Sequence, residues 1–274
     1  MNSRAKHRLR VGGRLLWLGF EFLLAALNYA RCCAFCSSID LPMARAAWLQ
    51  RSSRRVLRIF GTETCVVGRI PGNGLLVCNH LSYLDILILA ALTPSRFVAK
   101  SEVKNWPVFG WFAHLAGTIF VERSKRSQAA RAAEEIRVAL GEGPLVVLFP
   151  EGTSSGGETV LPFKSSLLEP AARHLHDLTV GLIAYELADG TVSEEVCYWK
   201  DMTLVPHLLN FLSKRTLQAF VHFSEAPQET ADRKMLARKL HSEALRLKTM
   251  GFHFVEGSES PRRSHARLTS IPSL

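Results

Sequence analysis

The chain has 274 residues, 47% of them hydrophobic, with a mean hydropathy of +0.09 and a formal charge of +10. That length holds one sizeable domain plus appendages, and the hydropathy falls short of a multi-span membrane protein. The basic excess suits nucleic acid or an anionic membrane, but zinc-finger spacing and Lys/Arg runs interleaved with aromatics are absent, so a membrane surface is expected and nucleic acid is not.

Residues 1–14 carry Arg4, Lys6, Arg8, Arg10 and Arg14, and Leu15 to Ala30 is apolar except for Glu21 and Asn28. Sixteen residues rise about 24 Å as a helix, short of the roughly 20 residues of a clean span, so shallow insertion is expected. No small-residue cleavage site precedes Arg31, which argues against a signal peptide. Cys32, Cys33 and Cys36 cluster without a second ligand pair for zinc. Cys65, Cys78 and Cys197 read as buried small residues, and a reduced, cytoplasmic setting follows.

Pro42 suits a helix first turn, and Met43 to Phe60 shows two faces. Trp48, Leu49, Val56, Ile59 and Phe60 fall on one side; Arg51, Arg54, Arg55 and Arg58 form a basic stripe. The pattern predicts a helix in a membrane interface; the competing reading is an ordinary amphipathic helix with a solvated arginine face.

From Thr64 the pattern alternates. Strands are predicted at Cys65–Val67, Leu75–Cys78, Phe97–Ala99, Thr118–Val121, Leu145–Phe149, Val180–Tyr185 and Leu217–His222. Helices are predicted at Leu84–Leu92, Pro107–Ala116, Gln128–Leu140, Lys164–His176 and Ala231–Met250. This predicts an α/β fold with a mostly parallel sheet flanked by helices. The divisions are residues 1–61 (basic N-terminus and membrane-associated helices), 62–255 (the α/β domain) and 256–274, a Ser/Arg/Pro-rich tail expected to be disordered.

Within the domain, Leu75–Cys78 ends in Asn79-His80, and Asp85 falls in the first turn of the next helix. A histidine able to take a proton, a carboxylate to orient it and a positive helix end can activate a hydroxyl and stabilise an oxyanion. Ser82 and Asp85 also have capping-box spacing, so Asp85 can be read as capping its own helix. Leu145–Phe149 runs into Pro150-Glu151-Gly152-Thr153-Ser154, where Gly152 permits close backbone approach and Glu151 supplies a carboxylate. Gly117–Arg123 is a third strand ending in a cation.

These blocks together resemble the glycerolipid acyltransferase family typified by lysophosphatidic acid acyltransferase. Asn79, His80 and Asp85 match its Asn-His-x4-Asp motif, Phe120 to Arg123 its Phe-x-x-Arg block, and Phe149 to Thr153 its Phe-Pro-Glu-Gly-Thr block, over roughly residues 62–225. The resemblance implies acyl transfer from a thioester of coenzyme A or acyl carrier protein to a lysolipid hydroxyl, with no resident cofactor or metal, at the cytoplasmic face of a membrane. It implies that His80 is the general base and that Asp85 orients it. Asn79, Ser82, Lys100, Arg123, Glu151, Gly152, Thr153 and Ser154 would shape the substrate site.

The main expectation is a 1-acyl-sn-glycerol-3-phosphate acyltransferase. Two departures bear on it: Ser154 stands where many members have an arginine for the acceptor phosphate, and Gly181 where a proline is usual. A hydroxyl cannot replace a guanidinium fork on a phosphate. Either Arg123, Lys100 and Lys164 compensate, or the acceptor lacks a phosphomonoester; lyso-ornithine lipid acyltransferases look similar around Gly152–Gly156 and form the alternative. Gly152-Thr-Ser-Ser-Gly156 also matches a serine-hydrolase nucleophile motif centred on Ser154, with Asp201 and His222 as partners, although Pro150-Glu151 separates strand from turn. A non-catalytic membrane scaffold is the remaining reading.

Overall fold

The computed structural model describes residues 3–33, 36–106, 108–122, 126–169, 172, 177–226 and 232–256. Arg123, most of the segment 170–176 and the tail 257–274 therefore lie outside the described residues. Seven strands, β1 (Thr62–Val67), β2 (Leu75–Cys78), β3 (Ser95–Lys100), β4 (Ile119–Val121), β5 (Leu145–Leu148), β6 (Leu178–Leu187) and β7 (Leu217–Glu225), form one sheet ordered β1-β7-β6-β2-β5-β3-β4. All seven overlap strands predicted from the sequence. Only β6 and β7 pair antiparallel; every other neighbour is parallel, as expected from the alternating pattern.

β2 and β5 are short apolar runs buried at every position, as central strands covered on both faces must be. Leu75 and Val77 point to one layer with Val146, Leu148, Ile136 of α5 (Arg126–Leu140) and Leu240 of α8 (Arg233–Glu256). Leu76 and Cys78 point to the other, with Val147, Val56 and Leu57 of α2 (Leu41–Phe60), Ile88 of α3 (Leu84–Leu92) and Phe211 of α7 (Leu204–Ser213). Parallel pairing brings the carboxyl ends of β6, β2, β5, β3 and β4 to one edge, and the motif loops leave from that edge. Gly181 faces Cys78 across the β2–β6 pair; a Cβ there would lie 3.2 Å from the Cys78 sulfur, so glycine leaves room for that thiol.

α4 (Phe109–Leu115) lies inside its predicted range, and α8 replaces the range 231–250. Of the helix expected over Lys164–His176, the described residues show a 3-10 turn at Ser165–Leu167 and helical conformation at Glu169 and Ala172; positions 170, 171 and 173–176 lie outside the described residues. α6 (Val192–Glu195) and α7 were not anticipated: α6 is a single turn, and α7 is only ten residues long with Pro206 in its first turn.

The N-terminus corrects two expectations. α1 runs from Ser3 to Cys33, so helix extends well beyond the apolar run; His7–Cys33 is long and apolar enough to cross a membrane by length and composition. The apolar face of α2 does not lie open to lipid: Trp48, Val56, Leu57 and Phe60 are buried against the rest of the protein. Two of the four arginines of its predicted basic stripe are also spent internally. Arg54 donates to the Ala91 carbonyl at the end of α3, and Arg55 pairs with the buried Glu21 of α1. The amphipathic pattern was real, but protein covers it.

α1 is fastened along its length. Arg10 and Arg14 donate to the carbonyls of Ser213 and Leu212 at the end of α7, and Trp48 donates to the Ala25 carbonyl at 2.8 Å. Its other side shows Leu16, Trp17, Phe20, Leu23 and Leu27, each at least 58% exposed. Cys65, expected inside, is exposed on the edge strand β1, whereas Cys78 and Cys197 are buried as expected.

Candidate active site

At the end of β2 the chain turns, and Asp85, fully buried, becomes the hub. Its Oδ2 accepts from the amides of Leu81 (2.7 Å) and Ser82 (2.9 Å) and faces His80 Nδ1 at 2.8 Å; its Oδ1 accepts from the Tyr185 hydroxyl. Four partners offset the cost of burying that charge. Asp85 thus does both things its spacing allowed, holding the helix start and the histidine. The Ser82 hydroxyl, by contrast, is buried without a hydrogen-bond partner and makes no capping box.

An ionised Asp85 only accepts, so Nδ1 of neutral His80 carries the proton and Nε2 presents a lone pair. The imidazole stacks on Phe149 at 4.2 Å between centroids and stays partly exposed. The amides of Leu81 and Ser82, in the turn that precedes α3, serve Asp85 and are not free for an oxyanion.

Asn79, placed by sequence in the substrate set, is a backbone clip. Its amide nitrogen donates to the Ile183 carbonyl (3.0 Å), its oxygen accepts the Ile183 amide (2.7 Å), and only 4% of the residue is exposed. It ties β2 to β6, and two residues further on β6 delivers Tyr185 to Asp85. Sequence reasoning missed Tyr185; the one available signal was its place at the end of a predicted strand. Burial, with Asp85 beside it, holds its hydroxyl well above the usual tyrosine range, so it remains a donor. Tyr185→Phe should lower turnover about three- to tenfold without changing the fold, read as kcat alongside circular dichroism.

The loop after β5 closes over the site. Gly152, at φ 73°, returns its amide to the Phe149 carbonyl, and Ser155 donates its amide to the His80 carbonyl at 3.0 Å. A second loop locks it: the Tyr198 amide reaches the Leu81 carbonyl at 2.8 Å, and the Ser154 hydroxyl donates to the Tyr198 carbonyl. Trp199 packs against Gly156, where a Cβ would lie 2.6 Å from its ring. Thr153 is exposed, and Lys100, Gly152 and Lys164 line one cleft beside this loop. The serine-hydrolase reading loses its geometry. Ser154 is bonded to a carbonyl, residues 156–164 directly after the turn are not helical, and His222 lies on β7, three places from β5 in the sheet.

Glu151 is 2% exposed, and neither carboxylate oxygen closes a hydrogen bond. Burial pushes its carboxyl up to about 8; the nearby amides of His80 and Leu161 favour the charge, Asp85 opposes it and Lys248 favours it. The folded state thus holds a proton that a free glutamate releases near 4.5, and the group weakens folding progressively as pH rises from about 4.5 to 8, by about 1.4 kcal/mol per pH unit. Glu151→Gln should melt near wild type at pH 5 and on the order of 10 °C higher at pH 8, at roughly 2–4 °C per kcal/mol. A pH-independent difference would contradict the burial account.

Against this geometry, sequence and structure comparisons agree. The Acyltransferase family profile matches residues 63–186. A solved structure of the 1-acyl-sn-glycerophosphate acyltransferase PlsC from Thermotoga maritima superposes with a TM-score of 0.68 over 95% of this chain and all of that one, at 18% identity, a likeness of fold. The lyso-ornithine lipid O-acyltransferase of Brucella abortus is 38% identical over 69% of this chain and 77% of its own length. The 1-acyl-sn-glycerol-3-phosphate acyltransferase of Neisseria gonorrhoeae is 42% identical over only 37% of this chain and 40% of its own. The enzyme of that first name from Rhizobium meliloti is 33% identical over 82% of both chains. Likeness sustained over that much of both lengths, carried on the same fold, makes this chain an enzyme of the glycerolipid acyltransferase family.

Proposed function

We propose that the chain is a lyso-ornithine lipid O-acyltransferase, transferring an acyl group from a thioester to the free hydroxyl of an N-acylated ornithine lipid. The observation that carries the acceptor is Ser154. Where a phosphate-binding arginine was expected, a half-buried serine spends its hydroxyl on the Tyr198 carbonyl and offers a phosphate no charge. The relatives matched over most of their length support the same acceptor, whereas the Neisseria glycerol-phosphate enzyme matches over less than half.

In this reading His80 Nε2 takes the acceptor's proton as its oxygen attacks the thioester carbonyl. Asp85 stabilises the imidazolium through Nδ1–H and fixes its orientation. The tetrahedral intermediate collapses with loss of the C–S bond, and the imidazolium returns the proton to the departing thiolate. The acceptor is itself the nucleophile, so no acyl-enzyme forms. The donor is an acyl thioester of coenzyme A or acyl carrier protein.

The exposed apolar side of α1 supports membrane attachment, and the free cysteines suit the cytoplasmic face of that membrane. Because α1 is docked from Arg10 to Ala25, a perpendicular crossing would drag the domain into hydrocarbon; lying in the interface keeps the domain in water. The test is expression in a host that accumulates lyso-ornithine lipid and lacks its own acyltransferase for it. Ornithine lipid should appear with the wild-type chain and not with His80→Ala; no ornithine lipid from either would overturn the reading.

A further inference from the structure

Beside the histidine–aspartate pair, the carboxyl edge of the sheet carries a cleft of about 590 Å³ lined by Lys100, Glu102, Lys104, Glu122, Gly152 and Lys164, among others. Its position follows from strand order. Lys100 ends β3, Glu122 follows β4 and Gly152 follows β5, while His80 follows β2. At roughly 4.8 Å per strand, the cleft opens one strand from His80 and its β3 wall stands about 10 Å away, the reach of a small headgroup.

Its charges are mixed. Lys100, Glu102 and Lys164 are exposed, and none enters an ion pair with another described residue. A phosphomonoester carries charge of one sign, and carboxylates in the wall would repel it. An N-acylated ornithine keeps one carboxylate and one ammonium, and so needs both signs.

We infer that this cleft is a headgroup site for a zwitterionic amino-acid lysolipid, with Lys100 and Lys164 meeting its carboxylate and Glu102 and Glu122 its ammonium. The inference rests on the acceptor reading above and makes it specific. Lysines at this edge suit any anionic headgroup; the carboxylates are what favour a zwitterion over a phosphate. Lys104 also lines the cleft, with its ammonium over the Phe120 ring at 4.9 Å.

The experiment measures steady-state kinetics in mixed micelles with three acceptors: lyso-ornithine lipid, the same lipid with its amine acetylated, and lysophosphatidic acid. Glu102→Gln and Glu122→Gln should each raise KM for lyso-ornithine lipid by roughly three- to tenfold, leaving kcat and the KM for the acyl donor unchanged. Neither should raise KM for the acetylated lipid, which has no ammonium to lose. Glu102→Lys should go further and lower KM for lysophosphatidic acid, whereas Lys100→Ala should raise KM for all three acceptors. Wild-type protein that ignores lyso-ornithine lipid removes the acceptor reading and this inference together. Wild type that uses it, with both glutamine variants unchanged or impaired equally on the acetylated lipid, removes this inference alone.

Discussion

His80→Ala should lower acyl transfer by about 10²–10⁴-fold while the protein keeps its fold. The side chain is partly exposed; it stacks on Phe149 and is one of the four partners of the buried Asp85, so its loss removes the base and costs some stability but leaves the other three partners in place. Asp85→Asn should be comparably inactive for a different reason. An asparagine can present an amide proton to Nδ1, which moves the imidazole hydrogen to Nε2 and leaves no lone pair for the acceptor. It also alters a group that accepts two backbone amides, so some loss of stability is expected with it. The double variant should be little slower than His80→Ala, because the two act as one unit. A His80→Ala loss below tenfold, measured with saturating donor and acceptor, would contradict the general-base role.

The second large effect concerns attachment. Leu16, Phe20, Leu23 and Leu27 recur at helical spacing on the outer side of α1, with Trp17 beside them. Each buried aliphatic or aromatic side chain contributes about 1.5–3 kcal/mol, so changing Leu16, Phe20 and Leu23 to Ser should weaken membrane partitioning by well over a hundredfold. The inner side, with Leu18, Glu21 and Ala25, is untouched, so α1 stays docked. Activity should persist on detergent-dispersed acceptor and collapse on vesicles. High salt should weaken binding of the wild type without abolishing it, because exposed Arg8 and Arg58 add only a screened attraction. A triple variant that still sediments fully with vesicles would contradict this orientation of α1.

The parts of the molecule legible in the sequence were those that act locally. β2 and β5 announce themselves because a central parallel strand is apolar at every position, and His80 and Asp85 lie close enough along the chain for spacing to imply contact. What escaped depends on partners far away. Asn79 looks like a substrate ligand until Ile183, 104 residues on, takes both ends of its amide. Tyr185 reaches Asp85 across 100 residues, and the Tyr198 loop closes on Leu81 and Ser154 from a segment with no regular pattern. α2 shows the same limit in another form. A two-faced helix states that one side will be covered, and only the fold decides whether lipid or protein covers it.

The account's central claim is that an imidazole base acts on the hydroxyl of an amino-acid lysolipid. Direct competition tests it: purified wild-type protein, equal concentrations of lyso-ornithine lipid and lysophosphatidic acid in the same vesicles, and one labelled acyl thioester. The account predicts that the label accumulates as ornithine lipid, with phosphatidic acid at least tenfold behind, and that His80→Ala removes both products. Phosphatidic acid as the dominant labelled lipid would contradict it.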